Sequence, residues 1–289
     1  MNMKIVFVVL HYLAIEETLN CVSSIQNNII YDNYVIIVVD NGSGIVDDTK
    51  QLRILAEKDD KIEFVELKKN LGFAQGNNVG FELAKKKYNA DFIVLLNNDI
   101  IIEQTDFCDI ICNKYNEYHF AVLGPKVFLK DGTYFSNPIQ PGRYLAYRQR
   151  IAQILIIFKY LGTFFGDLDI RKKNITDVDI KAKCEDFYNK ESVGCKLHGC
   201  CLIFSREYIN KFDGLNPHTF LYLEEDILFV RLRNNGLVSL YSPDLWLTHL
   251  EDAATNKVVQ TERKKRRFIY KNHIKSYSAL IDEIKNKNS

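Results

Sequence analysis

The residues of this chain that could do chemistry are acids, amides and imidazoles set directly after apolar runs. Phe92-Ile93-Val94-Leu95-Leu96 leads without a break into Asn97-Asn98-Asp99. A carboxylate at the carboxyl end of a buried strand suits Mg²⁺ or Mn²⁺ shared with the oxygens of a nucleoside diphosphate. Val38-Val39 leads in the same way to Asp40-Asn41-Gly42-Ser43, where Asp40 could accept from the imide N–H of a base. Asn70, Gly72 and Asn77, in the stretch 70–78, leave room for a phosphate or ribose against backbone amides. His11 ends the first apolar run, and His249 follows Leu245-Trp246-Leu247-Thr248. Imidazole, one carboxylate and phosphate oxygens together suit Mn²⁺ better than Mg²⁺. A polar turn after a strand is usually only a turn, and a lone histidine is usually a packing residue. The functional reading gains weight because every one of these turns ends an apolar run.

Glu224-Glu225-Asp226 is a second acidic centre. At a helix start, three carboxylates favour the macrodipole, which is the simpler reading. They could also hold a general base, since adjacent acids raise one another's pKa while the helix start lowers it. On residue chemistry alone the dipole reading is favoured.

The elements that must position these groups alternate. Strands are expected at 4–10, 34–39, 62–67 and 92–96, with helices at 14–26, 49–58 and 76–88 between them, the pattern of parallel β-α-β units with right-handed crossovers. In such a sheet His11, Asp40, Asn41, Asn70, Asn98 and Asp99 share one edge. Further on, the patterning predicts a helix at 104–118 and strands at 121–129 and 199–204. A helix at 206–212 and a helix opening at Glu224 and capped by Gly236 follow, then a short strand at 238–241 and the run 245–249.

Composition narrows the class. The 289 residues are 47% hydrophobic and 26% charged, which is globular, and a net charge of +1 gives no global field for nucleic acid. Seven cysteines show no zinc spacing and no signal peptide opens the chain, so reduced thiols and a cytoplasmic location are expected. No apolar run approaches the roughly 18 to 20 residues of a membrane span. No G-x-G-x-x-G follows the first strand and no G-x-x-x-x-G-K-[ST] occurs, so neither a dinucleotide-binding Rossmann site nor a P-loop is expected.

The ordered motifs resemble a known family. Val38 to Ser43, Asn70-Leu71-Gly72-Phe73-Ala74-Gln75-Gly76-Asn77-Asn78-Val79-Gly80 and Leu95 to Asp99 are similar to the inverting family-two glycosyltransferases of the GT-A fold. Gly199 to Phe204, Phe212-Asp213-Gly214-Leu215, Phe220 to Asp226 and Thr248-His249 continue the likeness over about residues 4–250. The resemblance is strongest to bacterial rhamnosyltransferase-like enzymes of surface polysaccharide synthesis. It implies an α/β GT-A fold with a mostly parallel central sheet, helices on both faces, and a nucleotide-binding half fused to an acceptor half. It implies a UDP- or dTDP-sugar donor, a saccharide or lipid-linked acceptor, and a divalent metal, Mn²⁺ or Mg²⁺. Asp40 would contact the donor's base, Asp99 would end the D-x-D-type motif and bind metal and diphosphate, and His249 would be a further ligand. Glu225 would be the base, with Asp226 left open as the alternative. The Asn97-Asn98-Asp99 motif keeps one carboxylate where the family's has two.

The expected organisation is one catalytic domain over 1–250, divided into a donor half (1–102) and an acceptor half (103–250) with a variable insertion at 131–198, followed by a basic helical tail over 251–289. Arg143 to Lys159 interleaves aromatic and basic residues, as a membrane-touching amphipathic helix or as a helix packed on the domain. The run Arg263-Lys264-Lys265-Arg266-Arg267 could attract anionic lipid or be a solvated face. Two other functions fit parts of the sequence. A sugar nucleotidyltransferase should carry a Gly-rich basic loop after the first strand, where this chain has His11-Tyr12-Leu13. A non-catalytic sugar-nucleotide-binding protein would need no more than the single Asp99.

Overall fold

The computed structural model describes residues 3–133, 137–165, 188–250 and 262–286. The charged stretch 167–187 and the segment 251–261 lie outside them. The first half alternates as the patterning predicts: β1 (Ile5–His11), α1 (Ile15–Asn28), β2 (Tyr34–Asp40), α2 (Val46–Lys58), β3 (Ile62–Glu66), α3 (Phe73–Lys86) and β4 (Phe92–Asn97). The second half comprises β5 (Ile100–Ile101), α4 (Phe107–Tyr118), β6 (Val122–Leu129), α5 (Ala146–Phe165), β7 (Ser192–Val193) and β8 (Cys201–Ser205). It ends with α6 (Arg206–Ile209), α7 (Glu224–Asn234), β9 (Ser239–His249) and α8 (Glu262–Lys285).

All the described strands join one sheet in the order β3-β2-β1-β4-β8-β6-β9-β5, with β7 also paired to β9. The long registers are parallel, between β1 and β2, β1 and β4, β2 and β3, and β6 and β9. β8 runs antiparallel between β4 and β6, and the short β5 and β7 pair antiparallel with β9. This is an α/β sheet of the GT-A kind, mostly parallel by paired residues.

Strand β1 shows why the apolar runs are continuous. Ile5, Phe7 and Val9 pack into a layer with Cys21, Val22 and Ile25 of α1 and Phe107 of α4. Val6 and Val8 face the other way, toward Phe81 and Ala84 of α3. Both faces are covered, so no polar residue alternates in, and each such side chain contributes roughly 1.5–3 kcal/mol of burial. Gly80 lets α3 lie against the sheet, because a Cβ there would fall 2.3 Å from Val8 Cγ1.

Several boundaries differ from the sequence reading for local reasons. Helix α3 begins at Phe73, since Gly72 at φ +83° turns the chain into it and the Phe73 N–H is taken by the Phe220 carbonyl at 2.8 Å. β9 is one strand from Ser239 to His249, where two pieces are expected from the sequence. Its register against β6 jumps from Ser242 to Trp246, so Pro243 lies in the irregularity and needs no ladder N–H. Helix α6 stops at Ile209, short of Phe212.

The C-terminal helix is integral to the fold. Tyr144, just before α5, packs with Ile227 and Val230 of α7 and Ala279 and Leu280 of α8 in a small core. Gln153 Nε2 donates to Ile274 O and Ser278 Oγ at 2.7 Å, and Arg231 pairs with Glu283 at 3.3 Å. In the basic run, Arg263 Nε donates to Thr163 O at 2.7 Å, and the Arg267 guanidinium sits 3.8 Å from the Phe164 ring.

Candidate active site

Topology brings the separated acids together. β1 to β4 are parallel, so His11, Asp40, Glu66 and Asn97 end on one edge. β9 runs with β6 and its last residue, His249, is opposite Ile100, immediately after Asp99. β8 is antiparallel to β4, so the residues that lead into it begin at the same edge, and Asn97 N–H donates to Cys200 O at 3.0 Å.

The result is a line of groups across the sheet edge. Asp99 Oδ1 lies 3.2 Å from His249 Nε2. The His249 ring is 6.4 Å, centre to centre, from that of His198. His198 Nε2 is 3.8 Å from Glu225 Oε1, which also accepts the Gly199 N–H at 2.8 Å. His198 Nδ1 accepts from Cys200 N–H at 3.2 Å, so a neutral ring carries its proton on Nε2, toward Glu225. Burial, aided by His249 and Lys196, pushes the His198 pKa down to about 4, so that ring is neutral at pH 7. Burial pushes the Glu225 carboxyl up.

The three acids opening α7 are not equivalent. Asp226 Oδ1 accepts the Tyr144 hydroxyl at 2.5 Å and the Lys196 ammonium at 3.0 Å. Glu224 is buried enough to be pushed up to about 7, with Glu225 adding to the effect, and its Oε1 accepts no hydrogen bond. Glu225 keeps 29% of its side chain exposed, against 18% for Asp226. Glu225 is thus the acid of the three that faces the Asp99–His249 edge with no cation bound to it among the described residues. The chain enters α7 through Tyr222 and Leu223, both left-handed at φ +77° and +66°. Strained non-glycine residues of this kind cluster at functional sites.

The residues that the sequence assigns to the donor side are held by hydrogen bonds within the sheet edge and its loops. Asn98 Nδ2 donates to Ala14 O at 3.2 Å and Thr18 Oγ1 at 3.0 Å. Thr18 Oγ1 itself donates to Ala14 O, so His11 Nδ1, 2.7 Å away, is the donor in that pair. This leaves His11 Nε2 as a buried acceptor, 3.8 Å from Asp48, and burial pushes the His11 pKa down. Asp40 is buried and its two oxygens receive the Ser43 N–H at 2.9 Å and the Thr49 hydroxyl at 3.2 Å, so it shapes its own loop. Asn41 Nδ2 donates to Asn70 Oδ1 and Gly72 O, both at 3.1 Å, and its Oδ1 accepts Leu71 N–H. Asn77 Nδ2 donates to Phe73 O at 3.0 Å, while its buried Oδ1 accepts no hydrogen bond.

The fold thus brings Asp99, His249 and Glu225 to one edge, with His11 and Asn98 behind them, and gives Asp40, Asn41 and Asn70 to the adjoining loops. Sequence reasoning missed His198 and Lys196, which stand in the weakly patterned region before Gly199; nearness to the Gly199-Cys200 strand start was the available signal. Among the described residues no three His, Cys, Asp or Glu side chains are arranged to hold a metal by themselves.

A family model described as glycosyl transferase family 2 matches residues 6–175. The chain is 22% identical over 201 residues to the low-salt glycan biosynthesis hexosyltransferase Agl10 of Haloferax volcanii, covering 70% of this chain and 54% of that protein. The chain therefore spans about half the length of this curated relative. With more than half of its length matched by the family model, and with that match running from the first strand through the Asn97-Asn98-Asp99 edge, the chain belongs to glycosyl transferase family 2.

Proposed function

We propose that this protein is an inverting glycosyltransferase that moves a hexosyl or deoxyhexosyl group from a UDP- or dTDP-sugar to a saccharide or lipid-linked saccharide, in the synthesis of a surface glycan. The observation that carries the reading is the meeting, at one sheet edge, of the Asp99–His249 pair with a Glu225 carboxylate that pairs with no Lys or Arg among the described residues. The relative from Haloferax is named a hexosyltransferase of glycan biosynthesis, which supports the donor class.

A divalent metal fits this edge. Asp99 Oδ1 is buried, accepts no hydrogen bond, and stands beside an imidazole nitrogen, a donor pair suited to Mn²⁺. Asp99 and His249 would hold the ion, the remaining positions falling to diphosphate oxygens and water. When bound, it would supply positive charge to the leaving nucleoside diphosphate. Glu225 takes the proton from the acceptor hydroxyl as that oxygen bonds to the anomeric carbon and the bond to the diphosphate breaks. One displacement inverts the anomeric centre and needs no enzyme nucleophile. The Gly199 N–H orients that carboxylate, and His198, neutral and 3.8 Å away, leaves it unneutralised.

Release of UDP or dTDP from a panel of nucleotide sugars, with and without Mn²⁺, tests the reading. At least one sugar should be turned over by the wild type, in a metal-dependent manner, and not by Asp99→Ala. Turnover by Asp99→Ala equal to wild type removes the metal assignment, and no turnover of any sugar removes the transferase reading. Association with the cytoplasmic face of a membrane belongs to the same reading, through a lipid-linked acceptor.

A further inference from the structure

We infer that the outer face of α5 is a docking surface for an anionic lipid bilayer. Tyr147, Ile151, Ile154, Leu155, Phe158 and Leu161 are 44–67% exposed. Their spacing puts them on one stripe of the helix, about 21 Å long at 1.5 Å per residue. The opposite side of α5 is held in the protein, where Gln153 and Thr163 are buried and bound to α8. A contiguous apolar stripe of this size on a protein surface marks a partner or a membrane.

Charge selects the partner. From Asn137 to Phe165 the chain has no Asp or Glu, while Arg143, Arg148, Arg150 and Lys159 are all exposed. Arg263 and Lys264 are exposed at the start of α8, which is bound to the end of α5 through Thr163. An apolar stripe edged with cations and free of acids is complementary to acyl chains beneath anionic headgroups. It is not self-complementary, because an isologous dimer through this face would set one copy's Arg148 and Lys159 against the other's. Among the described residues no helix is long and apolar enough to cross a membrane, so α5 would lie in the interface plane.

This surface rests on the reading of a lipid-linked acceptor, and its test is separate from turnover. The full chain is sedimented with vesicles of phosphatidylcholine containing a quarter phosphatidylglycerol, and with pure phosphatidylcholine. Donor hydrolysis in free solution and mass by light scattering are measured on the same preparations. The wild type should be monomeric without lipid and should bind the anionic vesicles at least tenfold more strongly, with the difference falling as salt rises. Leu155→Glu with Phe158→Glu should lower binding at least tenfold while leaving the thermal midpoint and donor hydrolysis unchanged, since both side chains are exposed. Arg148→Glu with Lys159→Glu should remove the preference for phosphatidylglycerol. Equal binding by the apolar double variant, no binding by the wild type, or a wild-type dimer that the same variant dissolves each overturns the surface. Vesicle binding without hydrolysis of any donor leaves the surface standing and overturns the transferase reading instead.

Discussion

Replacing Glu224 by Gln should stabilise this protein at neutral and alkaline pH and leave it unchanged in acid. Burial raises the Glu224 carboxyl from its ordinary 4.5 to about 7, more than hydrogen bonds from Thr219 and the backbone offset. In the unfolded chain the group loses its proton near 4.5. Between that pH and about 7 the fold holds a proton that the unfolded chain has released, so rising pH favours unfolding. Below 4.5 both states are protonated and the effect vanishes; above 7 it is complete. At 1.36 kcal/mol per pH unit the full displacement corresponds to about 3 kcal/mol, and partial solvent access reduces this to about 1–2 kcal/mol. For a chain of this size that is a rise in midpoint of about 2–3 °C at pH 8. Thermal unfolding followed by circular dichroism at pH 4.5, 6, 7 and 8 reads the difference directly. A gap that does not change with pH, or a wild type more stable than the variant at pH 8, refutes the reasoning. Turnover should survive the change, because the proposed base is the next residue.

Glu225→Gln should lower turnover by about 10²–10⁴ while UDP affinity by calorimetry stays the same; full turnover in this variant would sink the assignment of the base. Asp226→Asn should cost less turnover and lower the thermal midpoint instead, since it weakens the contacts to Tyr144 and Lys196. His249→Ala should weaken UDP binding at least tenfold in Mn²⁺ and leave metal-free binding alone, and an unaltered Mn²⁺ dependence would remove His249 from the site. Gly72→Ala should destabilise by about 2 kcal/mol or more in urea unfolding, because φ is +83° and the new Cβ would lie 2.3 Å from the Phe220 carbonyl oxygen. Asn98→Asp should not create a stronger metal site. It would place an acceptor against Ala14 O and Thr18 Oγ1 and cost about 1–3 kcal/mol, measured as a lower urea midpoint with no gain in Mn²⁺ affinity.

The last of these shows how much of the site could be read from the sequence. Apolar runs such as Ile5–Val9 and Phe92–Leu96 are legible because both faces of their strands are covered, and the polar residues ending them are therefore legible as a sheet edge. The loss of the motif's first carboxylate, at position 97, is legible as a departure, but why position 98 does not take an acid instead is not. It depends on the β1–α1 turn placing Ala14 O and Thr18 beside β4, contacts across 80 or more residues. Asp40 shows the opposite case. Its position after β2 suits a base contact, and the fold adds what the sequence does not show, that its two oxygens also receive the Ser43 N–H and the Thr49 hydroxyl. His198 was invisible because no periodicity marks the residues just before Gly199, and only the antiparallel pairing of β8 with β4 brings its neighbourhood to the edge. The basic run at 263–267 reads as a solvated or lipid-facing segment, yet Arg263 and Arg267 bind Thr163 of α5, and that partner cannot be inferred from charge.

Helix α8 gives these pieces a mechanical relation. Two consecutive left-handed residues, Tyr222 and Leu223, set the direction in which α7 presents Glu225. Such residues cost on the order of 1–3 kcal/mol each and persist only where the surroundings over-determine them. Here α8 supplies the constraint: Ser276 Oγ donates to Leu221 O at 3.0 Å, and the Tyr222 ring stacks on His273 at 4.4 Å and 19°. The same helix holds α5 through Ile274 and Ser278. The residues that fix the turn before the base, His273 and Ser276, thus alternate with those that hold the α5 helix. A displacement of α5 on a bilayer would reach the Glu225 turn through less than two turns of α8, and also through Tyr144, just before α5, whose hydroxyl donates to Asp226 beside the base.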